Sequence, residues 1–253
     1  MQVGICEWCA MAGGEELFRR LQRTGLNGVQ VSYEATDFVP KMEQYARLAA
    51  DYGVTLTSVG ANIFCERAVF APENAAWVRD VTADICRGAA LTEGRLFHVP
   101  AFGASYIRNE QELCQTVAAL QSICDVAAAF DVTVAAENAL PLAENERLLE
   151  AVNRPNLKLY FDTQNPQTAH GDAAAQAAAF AARIPEVHVK DCNEHGVSVP
   201  LGTGVTGFDH TLATLLHGGY DGWLLLENAY NRAVDPDAAM RADADYARTA
   251  CRK

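Results

Sequence analysis

Positive charge is what this sequence has least of. Its 20 lysines and arginines stand against 32 aspartates and glutamates, a net charge of −12. That balance repels a phosphate backbone and argues against nucleic acid as a partner. Also missing is any apolar run that could span a bilayer. The alanine stretch from Ala173 to Ala182 is too short and too weakly apolar, so no membrane is expected as a partner. No linker, low-complexity tract or composition shift divides the chain, which predicts one domain over residues 1–253. The eight cysteines are scattered, as expected of reduced core thiols in a cytoplasmic protein rather than a disulfide framework. One CxxC occurs, Cys6-Glu7-Trp8-Cys9. It has no second copy and its first cysteine lies inside a strand, so neither a zinc knuckle nor a redox pair is expected. No leader is expected, since Met1-Gln2-Val3-Gly4-Ile5 runs straight into the first strand.

What is present is a regular alternation. Half the residues are apolar, enough to build a large core over 253 positions. Strands are expected at Val3 to Glu7, Val29 to Ser32, Thr55 to Val59 and Leu96 to Val99. Three more should end at Glu137, Asp162 and Glu227, and Glu186 to Asp191 should be the seventh. Helices fall between them, from Glu15 to Arg23, from a first turn that holds Pro40 to Tyr52, from Pro72 onward, from Asn109 to Phe130, from Glu144 to Val152 and along the alanine stretch. Asp209 is expected to cap the seventh helix and Asp235-Pro236 the last. Eight strand–helix pairs of about 30 residues each give the cadence of a single (β/α)₈ TIM barrel. A doubly wound open sheet is the alternative, disfavoured by eight regular units.

Four strand ends carry metal-competent side chains. Val132 to Glu137, Leu157 to Asp162, Glu186 to Asp191 and Trp223 to Glu227 are apolar runs that deliver Glu137, Asp162, His188 and Glu227. In the third run, period two sets His188 and Lys190 on one face and Val187 and Val189 on the other. The four lie 25, 26 and 39 residues apart, room for one strand, loop and helix each. They should therefore gather at one rim, where barrels carry their active sites. Three carboxylates and an imidazole suit one divalent ion, Mn²⁺ foremost, with Mg²⁺, Co²⁺ and Zn²⁺ also compatible.

Across nearly its whole length the chain resembles the xylose-isomerase-like barrels grouped as sugar-phosphate isomerases and epimerases. The matching segments are Ala136-Glu137-Asn138, Phe161-Asp162-Thr163, Val187-His188-Val189-Lys190-Asp191, Pro200-Leu201-Gly202-Thr203-Gly204, Gly219-Tyr220-Asp221-Gly222 and Leu226-Glu227. The resemblance to the ketose 3-epimerases of that family implies that Glu137, Asp162, His188 and Glu227 bind one divalent metal. It further implies that Glu137 and Glu227 exchange the substrate proton. Such chemistry removes a proton beside a carbonyl, with the metal stabilising the enediolate and a second carboxylate returning the proton from the opposite face. At two positions the pattern is broken: Asn165 stands where these epimerases often carry histidine, and Glu194 where they often carry arginine. Multi-zinc apurinic endonucleases share the barrel, but they need more histidines and a DNA-binding surface. His98 is the one further candidate for a ligand or substrate contact near the rim.

Other candidates for substrate contact are Trp8 and Glu7 at the end of the first strand, Asn62 after the third, Asn165 and Lys190. Trp8 could stack on a sugar ring or simply pack on a neighbouring loop. Gly202-Thr203-Gly204-Val205-Thr206-Gly207 spells GxGxxG, but its context is wrong for a dinucleotide fold. It is expected to shape a loop, with a phosphate cradle at the following helix as the lesser reading. The expectation is a cytoplasmic metal-dependent isomerase or epimerase of a ketose or keto-sugar. A dehydratase on the same metal site and a non-catalytic sugar-binding subunit are the alternatives, and assembly into a homo-oligomer is left open.

Overall fold

All four residues of Glu186–Val189 are buried, yet alternate ones meet different surroundings. Val187 and Val189 belong to a large apolar cluster that also takes in helical residues such as Phe18, Met42, Ile85 and Leu120. Glu186 and His188 face the other way, toward a smaller cluster of Cys6, Leu96, Ala135, Tyr160, Trp223 and Leu225. A strand apolar on one side and partly polar on the other, repeated round a ring, gives a closed barrel with helices outside.

The computed structural model describes residues 1–169 and 171–252. The barrel strands are β1 (Val3–Cys6), β2 (Gly28–Ser32), β3 (Thr55–Gly60), β4 (Leu96–Pro100) and β5 (Thr133–Glu137), then β6 (Leu157–Leu159) with β7 (Phe161–Asp162), β8 (Glu186–Val189) and β11 (Trp223–Leu226). All pair in parallel, in the order β6-β5-β4-β3-β2-β1-β11-β8-β7. β6 and β7 are two parts of one stave broken at Tyr160, whose N–H still donates to the Ala136 carbonyl at 2.9 Å. β5 pairs with β6 and β7 with β8, so that stave closes the ring. A short antiparallel ribbon, β9 (Asp191–Cys192) with β10 (Ser198–Val199), projects from the rim after β8.

The helices are α1 (Gly14–Thr24), α2 (Phe38–Tyr52), α3 (Ala75–Ala89), α4 (Glu110–Ala128), α5 (Leu142–Val152), the short α6 (Asn165–Thr168), α7 (Ala173–Phe180), α8 (Phe208–His217) and α9 (Pro236–Ala250). Several ends follow their local chemistry. Asn109 and Asp235 cap α4 and α9 by accepting from the amides of Glu112 and Ala238. Gly25 and Gly53 end α1 and α2 in the left-handed conformation that glycine tolerates.

Two expected boundaries shift. Pro72 opens a single 3₁₀ turn, and α3 starts only at Ala75. As expected, Pro40 sits in the first turn of α2, which begins at Phe38. Asp209 does not cap α8: Gly207, with φ of 68°, holds the cap position and Asp209 is the second helical residue. There its carboxylate accepts from the Tyr246 hydroxyl at 2.9 Å.

Candidate active site

The strand ends surround a cavity of about 200 Å³ lined by Trp8, Asn62, Cys65, His98, Pro100, Phe102, Glu137, Asn165, Lys190 and Glu227. The acidic side chains of the rim arrive by the same device. A parallel strand carries apolar residues outward and ends with an inward polar one at the C-terminal rim. Glu137 ends β5, Asp162 ends β7, and His188 lies inward on β8 with Lys190 just beyond it. Glu227 follows β11, its amide still donating to the Val189 carbonyl at 3.0 Å.

His188 is the hub. Its Nδ1 lies 3.5 Å from Glu137 Oε1 and 3.4 Å from Glu227 Oε2. Glu137 Oε2 meets His98 Nε2 at 2.5 Å, and its Oε1 accepts from Asn165 Nδ2 at 2.7 Å. Glu227 Oε1 accepts from the Trp8 indole at 3.0 Å, and its Oε2 from Lys190 Nζ at 2.6 Å. Lys190 also lies 3.0 Å from Asp162 Oδ2, while Asp162 Oδ1 accepts from the amides of Gln164 and Asn165 at 2.7 Å each. Trp8 presents its ring edge-on to His188 and packs over Gly60, where a Cβ would come within 2.6 Å of the indole.

These contacts set the charge states. Burial alone would raise the Glu137 carboxyl, but His98 and His188 hold it well below the ordinary range. Glu227 is likewise held low against burial by His188 and Lys190. Burial dominates at Asp162, which is pushed up to about 6 despite Lys190. Lys190 itself would be lowered by burial, yet Asp162 and Glu227 carry it well above its usual value. Burial would also lower His188, but Glu227 and Glu137 raise it; at His98 burial prevails and the ring is lowered.

The residues fit a divalent ion. His188 Nδ1 and Asp162 Oδ2 are buried atoms without a hydrogen-bond partner among the described residues, and both face this carboxylate group. Such atoms are costly to bury unless something else engages them. Two sets offer ligand atoms within 4.8 Å of one another: His98 with Glu137 and His188, and Cys6 with His188 and Glu227. Of the four expected ligands, Glu137, His188 and Glu227 come together directly. Asp162 falls in neither set and joins them through Lys190.

Most expected substrate contacts line the cavity: Trp8, Asn62, His98, Asn165 and Lys190. Glu7 does not. Its carboxylate accepts from Ser32 N at 2.8 Å, Lys41 Nζ at 3.0 Å and the Tyr45 hydroxyl at 2.7 Å, so it braces the β2–α2 connection behind the rim. Trp8 is more than a stacking surface, because its N–H orients Glu227. Glu194 is exposed at the tip of the β9–β10 ribbon. Residues that the sequence does not single out include Cys65 in the wall and Gln30 beneath it, whose Oε1 lies 2.8 Å from His188 Nε2.

The glycine-rich loop encloses a side chain of its own. Asp191 Oδ2 accepts from the amides of Gly202 and Gly204 at 3.0 and 2.9 Å, and Oδ1 from the Thr206 hydroxyl at 2.8 Å. A Cβ on Gly204 would lie 2.2 Å from Asp191 Oδ1. These loop amides hold a carboxylate of the chain itself, in keeping with the expectation that the glycine-rich stretch shapes a loop.

Comparison with known proteins agrees with the barrel fold. A family described as "Xylose isomerase-like TIM barrel" matches residues 18–250. The 2-epi-5-epi-valiolone 7-phosphate 2-epimerase of an Actinoplanes species is 30% identical over 259 residues, covering 98% of this chain and 94% of that protein. The L-ribulose-5-phosphate 3-epimerase UlaE of Salmonella paratyphi C is 31% identical over 147 residues, 54% of this chain and 51% of that one. Among solved structures, L-ribulose 3-epimerase superposes with a TM-score of 0.85 at 18% identity, covering 100% of this chain and 95% of that chain. The IolI protein with a binding zinc atom superposes at 0.80 and 12% identity, covering 99% and 98%.

Proposed function

This chain belongs to the xylose isomerase-like TIM barrel family, and from that premise we propose that it is a divalent-metal-dependent epimerase or isomerase of a keto-sugar. The observation that carries the proposal is the placement of Glu137 and Glu227. They come from separate staves of the ring and approach one imidazole nitrogen at 3.5 and 3.4 Å on the floor of one cavity. Epimerisation beside a carbonyl needs that pairing, one carboxylate to take the proton and another to return it from the opposite face.

Glu137, Asp162, His188 and Glu227 would hold the ion, and the oxygen and nitrogen donors suit Mn²⁺ first among Mg²⁺, Co²⁺ and Zn²⁺. When bound, the ion supplies Lewis-acid stabilisation of the negative charge that develops on the substrate's oxygens. The protein supplies the rest. Held ionised, Glu137 and Glu227 are both in the form that can accept a proton. Trp8 and Asn165 each donate to one oxygen of a glutamate and so fix the direction in which the carboxylate faces. Lys190, already bridging Asp162 and Glu227, can turn one of its three N–H bonds to a substrate hydroxyl. The phosphate esters named for two relatives make a sugar phosphate one member of the substrate class to test.

Incubating the Mn²⁺-supplemented protein with a panel of ketoses and keto-cyclitols, free and phosphorylated, in D₂O tests the proposal. Deuterium should appear at the inverted carbon of one of them. Inversion without deuterium would indicate a hydride shift, and a product lighter by one water would indicate a dehydratase; either result would replace the mechanism proposed.

A further inference from the structure

One buried polar side chain, Gln30, has no part in the proposed reaction, and the role assigned to it here rests on the proposed ion site. Gln30 lies fully buried on β2, inside the barrel and beneath the cavity. Its Nε2 donates to Ser58 Oγ at 2.9 Å and to the Tyr160 hydroxyl at 3.1 Å. Each of those hydroxyls has a single proton, and each directs it at Glu186 Oε2, at 2.5 and 3.2 Å. Both hydroxyls therefore meet Gln30 with lone pairs. That fixes the amide, its nitrogen toward Ser58 and Tyr160 and its oxygen toward His188.

Gln30 Oε1 can only accept, and it lies 2.8 Å from His188 Nε2. The proton on that contact belongs to Nε2. The remaining ring nitrogen, Nδ1, is the one turned to Glu137 and Glu227 and left without a hydrogen-bond partner among the described residues. We infer that Gln30 is a positioning residue: with Ser58, Tyr160 and Glu186 it forms a polar string through the barrel interior that holds His188 as the Nε2–H tautomer and presents the Nδ1 lone pair to a divalent cation. Ligating histidines generally have their second nitrogen engaged in this way, which fixes the tautomer and the ring orientation. Here the anchor is a neutral amide whose own direction is set by a carboxyl group deeper in the barrel. A glutamine that merely filled space would not need both its N–H bonds and its carbonyl oxygen engaged in this order.

The test combines ¹⁵N spectra of histidine-labelled protein with Zn²⁺ and Mn²⁺ titrations. At a pH that leaves the ring neutral, wild-type His188 should show a protonated Nε2 and a bare Nδ1, with Nδ1 shifting when Zn²⁺ is added. In Gln30→Met the ring loses its acceptor, and the population should move toward Nδ1–H. The dissociation constants of both metals should then rise by about 10- to 100-fold, the usual effect of removing such a partner. Gln30→Glu keeps an acceptor on Nε2, so it should restore the tautomer and most of the affinity. A merely structural role would lower thermal stability in both variants and leave the tautomer in place. The inference is overturned by a wild-type spectrum with the proton on Nδ1, a result that needs no variant to fold. Unchanged metal affinity in a folded Gln30→Met overturns it equally. Wild-type protein that shows the Nε2–H ring yet binds neither metal would contradict the ion site itself, while leaving the tautomer as inferred.

Discussion

Two buried carboxyl groups respond to pH for different reasons. Glu186, at the start of β8, is raised by burial to about 7, with Ser58 and Tyr160 offsetting part of the effect. Its folded pKa lies above the ordinary value of 4.5, so the folded chain binds the extra proton between about pH 4.5 and 7. Stability from this group is therefore present at low pH and is lost as pH rises through 7. Glu186→Gln should flatten that slope, so that its Tm at pH 8 relative to pH 5 falls less than that of the metal-free wild type. An unchanged slope would show that Glu186 is not the group responsible. Asp162 is raised by burial and restrained by Lys190, which lies 3.0 Å from its Oδ2. Asp162→Ala should abolish retention of a divalent ion, because an under-coordinated cation dissociates. Elemental analysis finding about one ion per chain in that variant would remove Asp162 from the ligand set.

At the scale of elements, the loop between β10 and α8 has an internal keystone in Asp191. Gly204→Ala would drive a methyl group against the Asp191 carboxylate and the Cys192 carbonyl, at 2.2 and 2.3 Å. Overpacking of this kind costs about 1–3 kcal/mol, so the urea midpoint should fall. A variant as stable as wild type would mean that the loop relaxes freely. The staves themselves are legible from sequence, because apolar runs that end in a polar residue are what a two-sided buried strand produces. The same period-two argument that picks out His188 between Val187 and Val189 applies to Gln30 between Val29 and Val31. That glutamine escapes notice in the sequence because it ends no strand and has no charge. The break of the sixth stave at Tyr160, the Gly207 cap that displaces Asp209 and the inward turn of Glu7 toward Tyr45 are not legible. Each depends on contacts between residues far apart in the chain or on a backbone angle that composition does not report.

For the whole molecule, the charge of −12 remains the strongest single constraint on partners. Affinity for duplex DNA should be undetectable at physiological ionic strength and should not strengthen steeply on dilution of salt. Tight, abasic-site-specific binding would contradict that expectation. Among the described residues no helix is long and apolar enough to cross a membrane. The barrel gathers its acids at one rim, where the repulsion among Glu137, Asp162 and Glu227 is relieved by Lys190 and His188 and, in the proposal, by a cation. In the proposal, carboxylates concentrated in this way serve both to bind a metal and to move a proton.

Proton exchange in the two glutamine variants, followed in D₂O with the substrate identified from the panel, tests that account most directly. Glu137→Gln and Glu227→Gln each keep the side chain's size and one ligand oxygen, so metal should still bind in part while epimerisation falls by about 10² or more. One of the two should still wash deuterium into recovered substrate without forming product, which identifies the base that remains. Wild-type turnover in both metal-bound variants would contradict the account, leaving the two glutamates as ligands alone.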